Sequence, residues 1–114
     1  MKEIELEIYE TATGKCPFEL WIKGINEIGT RAKILTRLDR LKLGNFGDCK
    51  ALRDGVSELR IHYGPGFRIY YGKIGTTVIL LLCGGDKGSQ DKDIAKAKEY
   101  LQDYQSRELG YGKK

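Results

Sequence analysis

The sequence predicts one α+β domain over residues 1–114, with elements in the order β-α-α-β-β-β-β-α. Three observations predict it: a strict alternation of apolar and polar residues near the N-terminus, two helical stripes in succession, and a run of closely spaced strand patterns closed by an amphipathic helix. A chain of 114 residues fits one compact domain.

Residues 4–9 read Ile-Glu-Leu-Glu-Ile-Tyr, the period-2 pattern of a half-buried strand. Pro17 suits the first turn of a helix, and Phe18, Trp21, Ile22 and Ile25 follow at helical spacing. Gly29 is expected to break that helix and Thr30 to cap the next. The second helix is expected over residues 31–42, with Ile34, Leu35, Leu38 and Leu41 on its apolar stripe. The Gly44-Asn45-Phe46-Gly47-Asp48 stretch stops it. Short strands are expected at 49–53, 57–63 and 67–73, with turns at Asp54-Gly55 and Gly64-Pro65-Gly66. Residues 76–83 make the most apolar strand, expected to be central. A last helix over 91–107 aligns Ile94, Ala97, Leu101 and Tyr104. Two helices after one strand imply a helical hairpin on one face of a sheet.

Composition narrows the function classes. Hydrophobic residues at 40% and charged residues at 32% describe a folding chain rather than a disordered one. The longest apolar run, Val78 to Cys83, is one strand long and well short of the roughly 20 residues that a membrane helix needs. The N-terminus alternates acidic and apolar residues, unlike a signal or transit peptide, so the expected location is cytoplasmic. Cys16, Cys49 and Cys83 are odd in number and widely spaced, which fits neither a disulfide framework nor a zinc site. No metal and no cofactor is expected. The net charge of +4 is compatible with a nucleic-acid partner without specifying one.

The two strands around Gly64-Pro65-Gly66 carry the chemistry. Leu59, Ile61 and Tyr63 point to one face, and Glu58, Arg60 and His62 to the other. On the second strand Phe67, Ile69 and Tyr71 share the apolar face, leaving Arg68 and Tyr70 opposite. A three-residue loop pairs Tyr63 with Phe67, Ile61 with Ile69 and Leu59 with Tyr71, and sets His62 across from Arg68 and Arg60 across from Tyr70. Two readings are then open. One is a solvated face whose arginines pair with Glu58 or with the helices. The other is an anion site for a phosphodiester, with Tyr70 or His62 near a base or ribose. The glycine-rich loop of residues 84–90 brings Lys87 toward the same patch and offers free N–H groups at a helix start.

These segments resemble the RelE/ParE superfamily of toxins from type II toxin–antitoxin modules, in particular the HigB-like subgroup called addiction module killer proteins. The resemblance rests on Gly44-Asn45-Phe46-Gly47-Asp48-Cys49-Lys50, on residues 55–71 (Gly-Val-Ser-Glu-Leu-Arg-Ile-His-Tyr-Gly-Pro-Gly-Phe-Arg-Ile-Tyr-Tyr), on Leu80 to Lys87, and on Gln90 to Ile94 with Ala97. It implies a twisted, mainly antiparallel RelE-like sheet, an N-terminal helical hairpin on one face, and an open concave face for RNA. It implies a metal-independent endoribonuclease that cuts mRNA on the ribosome and so inhibits translation. ParE-like relatives inhibit gyrase instead, and a plain RNA-binding module is a further alternative.

Arg68 matches the arginine that such nucleases place at the scissile phosphate. Arg60 and Lys87 match two further basic positions, and His62, the one histidine, is a candidate acid or base. Lys50, Arg53, Tyr70 and Gln90 are the candidate RNA contacts around them. The C-terminal tyrosine that assists 2′-hydroxyl attack in RelE has no clear equivalent here, which leaves the general base open. The resemblance also implies a cognate antitoxin, a small helix-turn-helix DNA-binding protein through which alone the toxin would meet operator DNA.

Overall fold

A computed structural model describes residues 4–112, with side chains placed through residue 108. Among the described residues the elements are β1 (Glu5–Ile8), α1 (Pro17–Lys23), α2 (Ile28–Lys42), β2 (Cys49–Ala51), β3 (Val56–Ile61), β4 (Phe67–Ile74), β5 (Val78–Asp86), a 3-10 turn (Lys87–Ser89) and α3 (Gln90–Gly112). The α+β class and the element order are those the sequence predicts. The sheet runs β1-β5-β4-β3-β2, antiparallel except for the β1–β5 pair. β5 is therefore an interior strand, next to the middle one. No helix among the described residues is long and apolar enough to cross a membrane.

Helices cover both faces. Phe18 of α1 and Ile34, Leu38 and Leu41 of α2 pack on Leu59, Ile61, Ile69, Tyr71, Ile79 and Leu81. On the other face Ala97 and Leu101 of α3 pack on Val56, Tyr70, Leu80 and Leu82. Burying apolar area on both sides gives a small sheet its stability, at about 25 cal/mol per Å² removed from water. Beyond the sheet, Tyr9 Oη donates to Asp103 (2.6 Å) and Arg107 bridges Asp103 (2.7 Å) to the Glu10 carbonyl (2.6 Å), tying α3 to the end of β1. Burial, with Asp103 beside it, pushes the Tyr9 phenol up to about 12.

Several boundaries differ from expectation. α1 is closed by Gly24, not Gly29, and Gly29 lies inside α2. Thr30 is not the cap: Glu27 holds that position, and the Thr30 hydroxyl donates to its carboxylate. Leu35 is exposed, because the buried stripe of α2 runs Thr30, Ile34, Leu38, Leu41. At Asp54-Gly55 both residues have positive φ (63° and 82°), the geometry that a two-residue hairpin turn demands.

The largest change is in β5. It continues through Gly84 and Gly85 to Asp86, where the sequence predicts a loop. Tyr70 pairs with Cys83 and Tyr71 with Leu81, so Leu82 is an extra residue, a β-bulge. The bulge turns Gly84 toward α1 and Gly85 toward α3. A methyl group on Gly84 would overlap the Trp21 ring, and one on Gly85 would overlap the Asp93 carboxylate. The two glycines thus let a helix approach the strand from each side.

Candidate functional site

The hairpin register sets the site. Ile61 pairs with Phe67, Arg60 with Arg68, Leu59 with Ile69 and Glu58 with Tyr70. The expected pairing of His62 with Arg68 and Arg60 with Tyr70 is displaced by two residues. The loop is longer than three: the strands end at Ile61 and resume at Phe67, and the turn is closed by the Gly66 amide donating to the Tyr63 carbonyl (3.1 Å). A shift of two keeps every side chain on its expected face, so alternation alone does not distinguish the registers.

Three rows cross the α3 side of β3 and β4. Val56 and Gly72 sit under Leu101, then come Glu58 and Tyr70, then Arg60 and Arg68. Two guanidinium groups directly opposed on a sheet repel one another. Glu58 resolves the conflict from the adjacent row. It is fully buried, accepts from Arg60 Nε at 2.9 Å, from Gln90 Nε2 at 2.8 Å and from Tyr70 Oη at 3.2 Å, and lies 3.6 Å from Arg68 Nε. Burial by itself raises the Glu58 carboxyl, but the hydrogen bonds from Arg60, Gln90 and Tyr70 outweigh it and hold the group below its ordinary value. Burial and the neighbouring Glu58 charge push the Tyr70 phenol up, so it stays a protonated donor.

Arg68 is 12% exposed and Arg60 31%. Arg68 Nη1 donates to the Gly66 carbonyl (3.0 Å), and among the described residues its buried Nε finds no hydrogen-bond acceptor. Gly66, at φ 82°, takes a conformation that favours glycine, and its bare Cα faces Arg68 and the stem of Lys87. Arg60, His62, Gly66, Arg68 and Lys87 together line an open hollow of 370 Å³. Three of its side chains are cations, and the carboxylate that offsets them lies beneath, out of solvent. The hollow therefore presents net positive charge, with its two arginines held in place, which suits a phosphate.

His62 stands at the rim, 73% exposed, with Nε2 against the Asp48 carboxylate. That hydrogen bond, the largest influence on the group, holds Asp48 below the ordinary carboxylate value. Asp48 is fixed beside the site because its carbonyl accepts the Arg60 amide at 2.9 Å.

The other expected contacts divide. Lys50 is exposed on β2 and pairs with Glu58, so it shares that face. Arg53 belongs to the turn before β3, at the opposite end of the strand from the hollow. Tyr70 is completely buried and Gln90 is committed to Glu58, so both support the arginines from beneath instead of facing a ligand. Two amides of the 3-10 turn that leads into the last helix are also taken. The Asp86 side chain accepts from the Gly88 amide (2.8 Å) and the Ser89 amide (3.2 Å), a capping box that takes two of the donors expected to bind an anion. The Cys83 thiol, buried and facing the Asp93 charge, is pushed up to about 12. Among the described residues no group of three or more His, Cys, Asp or Glu is placed to hold a metal.

Sequence reasoning named Glu58 as a partner of the arginines, and that pairing holds; what it missed is that Glu58 is buried and not on a solvated face. A signal was present: it occupies the same strand face as Val56, between an apolar residue and an arginine.

No protein-family model matches the chain. It is 45% identical over 86 residues to an uncharacterized protein of Haemophilus influenzae, an alignment covering 75% of this chain and 87% of that protein. At that identity and coverage the chain belongs to the family of the Haemophilus influenzae protein.

Proposed function

We propose that the protein is the toxin of a type II toxin–antitoxin module, with a RelE-like fold, and that it cuts mRNA on the ribosome. The observation that carries this reading is the pair Arg60 and Arg68, opposed across the hairpin, anchored on buried Glu58 and opening with Lys87 into one hollow. Anchoring matters because donors fixed before the reaction stabilise developing charge without reorganising.

In this reading the RNA supplies its own nucleophile. The 2′-hydroxyl loses its proton and attacks the adjacent phosphorus, the bond to the 5′-oxygen breaks, and that oxygen takes up a proton. Arg68 and Arg60 hold the non-bridging oxygens as negative charge builds on them, and Lys87 closes the third side. His62 is the acceptor for the 2′-hydroxyl proton. Its Nε2 is occupied by Asp48, which orients the ring and leaves Nδ1 for the transfer. The ribosome positions the message, which lets a site with few groups act. An antitoxin with a helix-turn-helix domain holds the protein inactive and carries it to operator DNA.

The test is induced expression in a bacterial host, wild type beside Arg68→Ala, with primer extension on a translated message. Arrest with ribosome-dependent cuts, reduced at least about a hundredfold in the variant, is the expected result. Undiminished cutting by Arg68→Ala would overturn the assignment. Arrest with DNA damage and intact message would identify a gyrase inhibitor instead, and RNA binding without arrest a non-catalytic binding module.

A further inference from the structure

The hollow at the hairpin does not end at His62. Its wall of Ile61, His62 and Tyr63 also forms the wall of a second groove, of 500 Å³, between α2 and the end of β3. The far side of that groove is lined by Lys33, Arg37 and Arg40. Their spacing of four and three residues puts them on one side of α2. Lys33 and Arg40 are seven residues apart, about 10 Å along the helix.

The three cations differ in what they do. Arg37 is a latch: Nη1 donates to the Arg60 carbonyl at 2.5 Å and Nη2 to the Phe46 carbonyl at 3.1 Å. It ties α2 to the site strand, and because both acceptors are neutral its charge remains. Lys33 and Arg40 are exposed, and among the described residues neither forms an ion pair. Lys33 Nζ lies 5.0 Å from the centre of the Tyr63 ring, on the shared ridge. The carboxylate at that ridge, Asp48, is engaged by His62. A cationic cleft with an aromatic wall, continuous with a phosphate hollow, is the arrangement that tracks a single-stranded backbone. Its volume suits a drug-sized group, hence a nucleotide or two, not a duplex.

We infer that the α2–β3 groove is a second subsite for single-stranded RNA: it takes the nucleotides that continue from the phosphate held at Arg60, Arg68 and Lys87, with Lys33 and Arg40 neutralising their phosphates. The inference rests on the reading of the hairpin hollow as an RNA site.

The experiment is fluorescence anisotropy of a labelled eight-nucleotide oligouridylate titrated with the full chain over a series of salt concentrations. Four proteins are compared: wild type, Lys33→Ala/Arg40→Ala, Arg68→Ala, and Lys92→Ala/Lys96→Ala, which removes the same charge from exposed positions on α3. The groove variant is expected to bind about tenfold more weakly at moderate salt, and its log–log salt slope to fall by about 1.4, or 0.7 for each lost phosphate contact. The α3 variant is expected to keep the wild-type slope. Equal loss in the two double variants would overturn the subsite and leave only a general effect of charge. Duplex DNA competing as well as the oligouridylate would overturn the single-strand assignment. Weakening by the groove variant but not by Arg68→Ala would keep the groove as an RNA site and remove the reading of the hairpin. No binding by wild type would remove both. Each variant is checked for an unchanged circular dichroism spectrum, and Lys33→Gln/Arg40→Gln gives the same comparison with longer side chains in place.

Discussion

The two ends of β3 and β4 show how one sheet face serves as core at one end and carries the candidate site at the other. Near the start of β3, Val56 and Gly72 lie beneath Leu101, which packs so close to Gly72 that an added methyl group would sit 2.9 Å from its Cδ1. Four residues along the same strand, Arg60 and Arg68 meet at the edge of an open hollow. Between them lies the Glu58–Tyr70 row, fully buried yet polar, with Gln90 of α3 completing it. The difference teaches that the site is an extension of the core. The same packing that excludes water from Leu101 also buries the carboxylate that holds the arginines. A change at the boundary row should therefore disturb both ends, whereas a change at either end should stay local.

The boundary row should show the largest effect. Glu58→Ala leaves Arg68 with a buried Nε and no counter-charge, and breaking a buried ion pair from one side costs about 3–5 kcal/mol. Urea denaturation should show that loss, with oligonucleotide affinity falling in parallel. A loss under 1 kcal/mol would mean that the arginines reach solvent without the carboxylate, and that the boundary is not a boundary. Leu101→Ala tests the apolar end. It should cost about 3.5 kcal/mol of stability, the middle of the range for removing a buried leucine, while the folded fraction binds oligonucleotide as wild type does. Altered binding by folded Leu101→Ala would show that the two ends are not separable.

How much of this was legible in the sequence differs between the same two ends. Periodicity and turn signals located the helices and strands of the described residues, and periodicity placed Leu59, Ile61 and Ile69 on one face and Arg60 and Arg68 on the other, because side-chain direction in a strand follows from parity alone. Parity also concealed the error. Registers two residues apart present identical faces, and the choice between them belongs to the loop after Ile61, where backbone hydrogen bonds rather than side-chain pattern decide. The bulge at Leu82 was hidden for a related reason: in a strand that is apolar throughout, an inserted residue leaves no break in the pattern. Tyr70 was read as a surface residue because α3 had not yet been laid over it. Whether a polar side chain on a sheet face meets water depends on the helix above, and local sequence does not record where that helix comes to rest.

The smallest expected effect is the pH dependence, and it isolates the boundary row from the rest of the molecule. Glu58 titrates below its ordinary value in the folded protein, whereas in the unfolded chain it titrates at about 4.3. Between those two values the unfolded state binds the extra proton, so stability rises with pH across that window and is lost as the pH falls through the folded value. Above about pH 6 both states are ionised and Glu58 contributes no slope. Asp48, held low by the hydrogen bond to His62, and Asp103, held low by Tyr9 and Arg107, add slopes of the same sign. Glu58→Gln preserves the shape of the side chain and removes only its titration. Wild type should therefore lose stability more steeply than Glu58→Gln between pH 6 and pH 3 by urea denaturation, the two Asp contributions cancelling in the difference. Parallel curves would mean that burial offsets the hydrogen bonds completely, so that the Glu58 carboxylate gains nothing by ionising where it sits. A steeper curve for the variant would reverse the sign and place the anchoring of the arginines on some group other than Glu58.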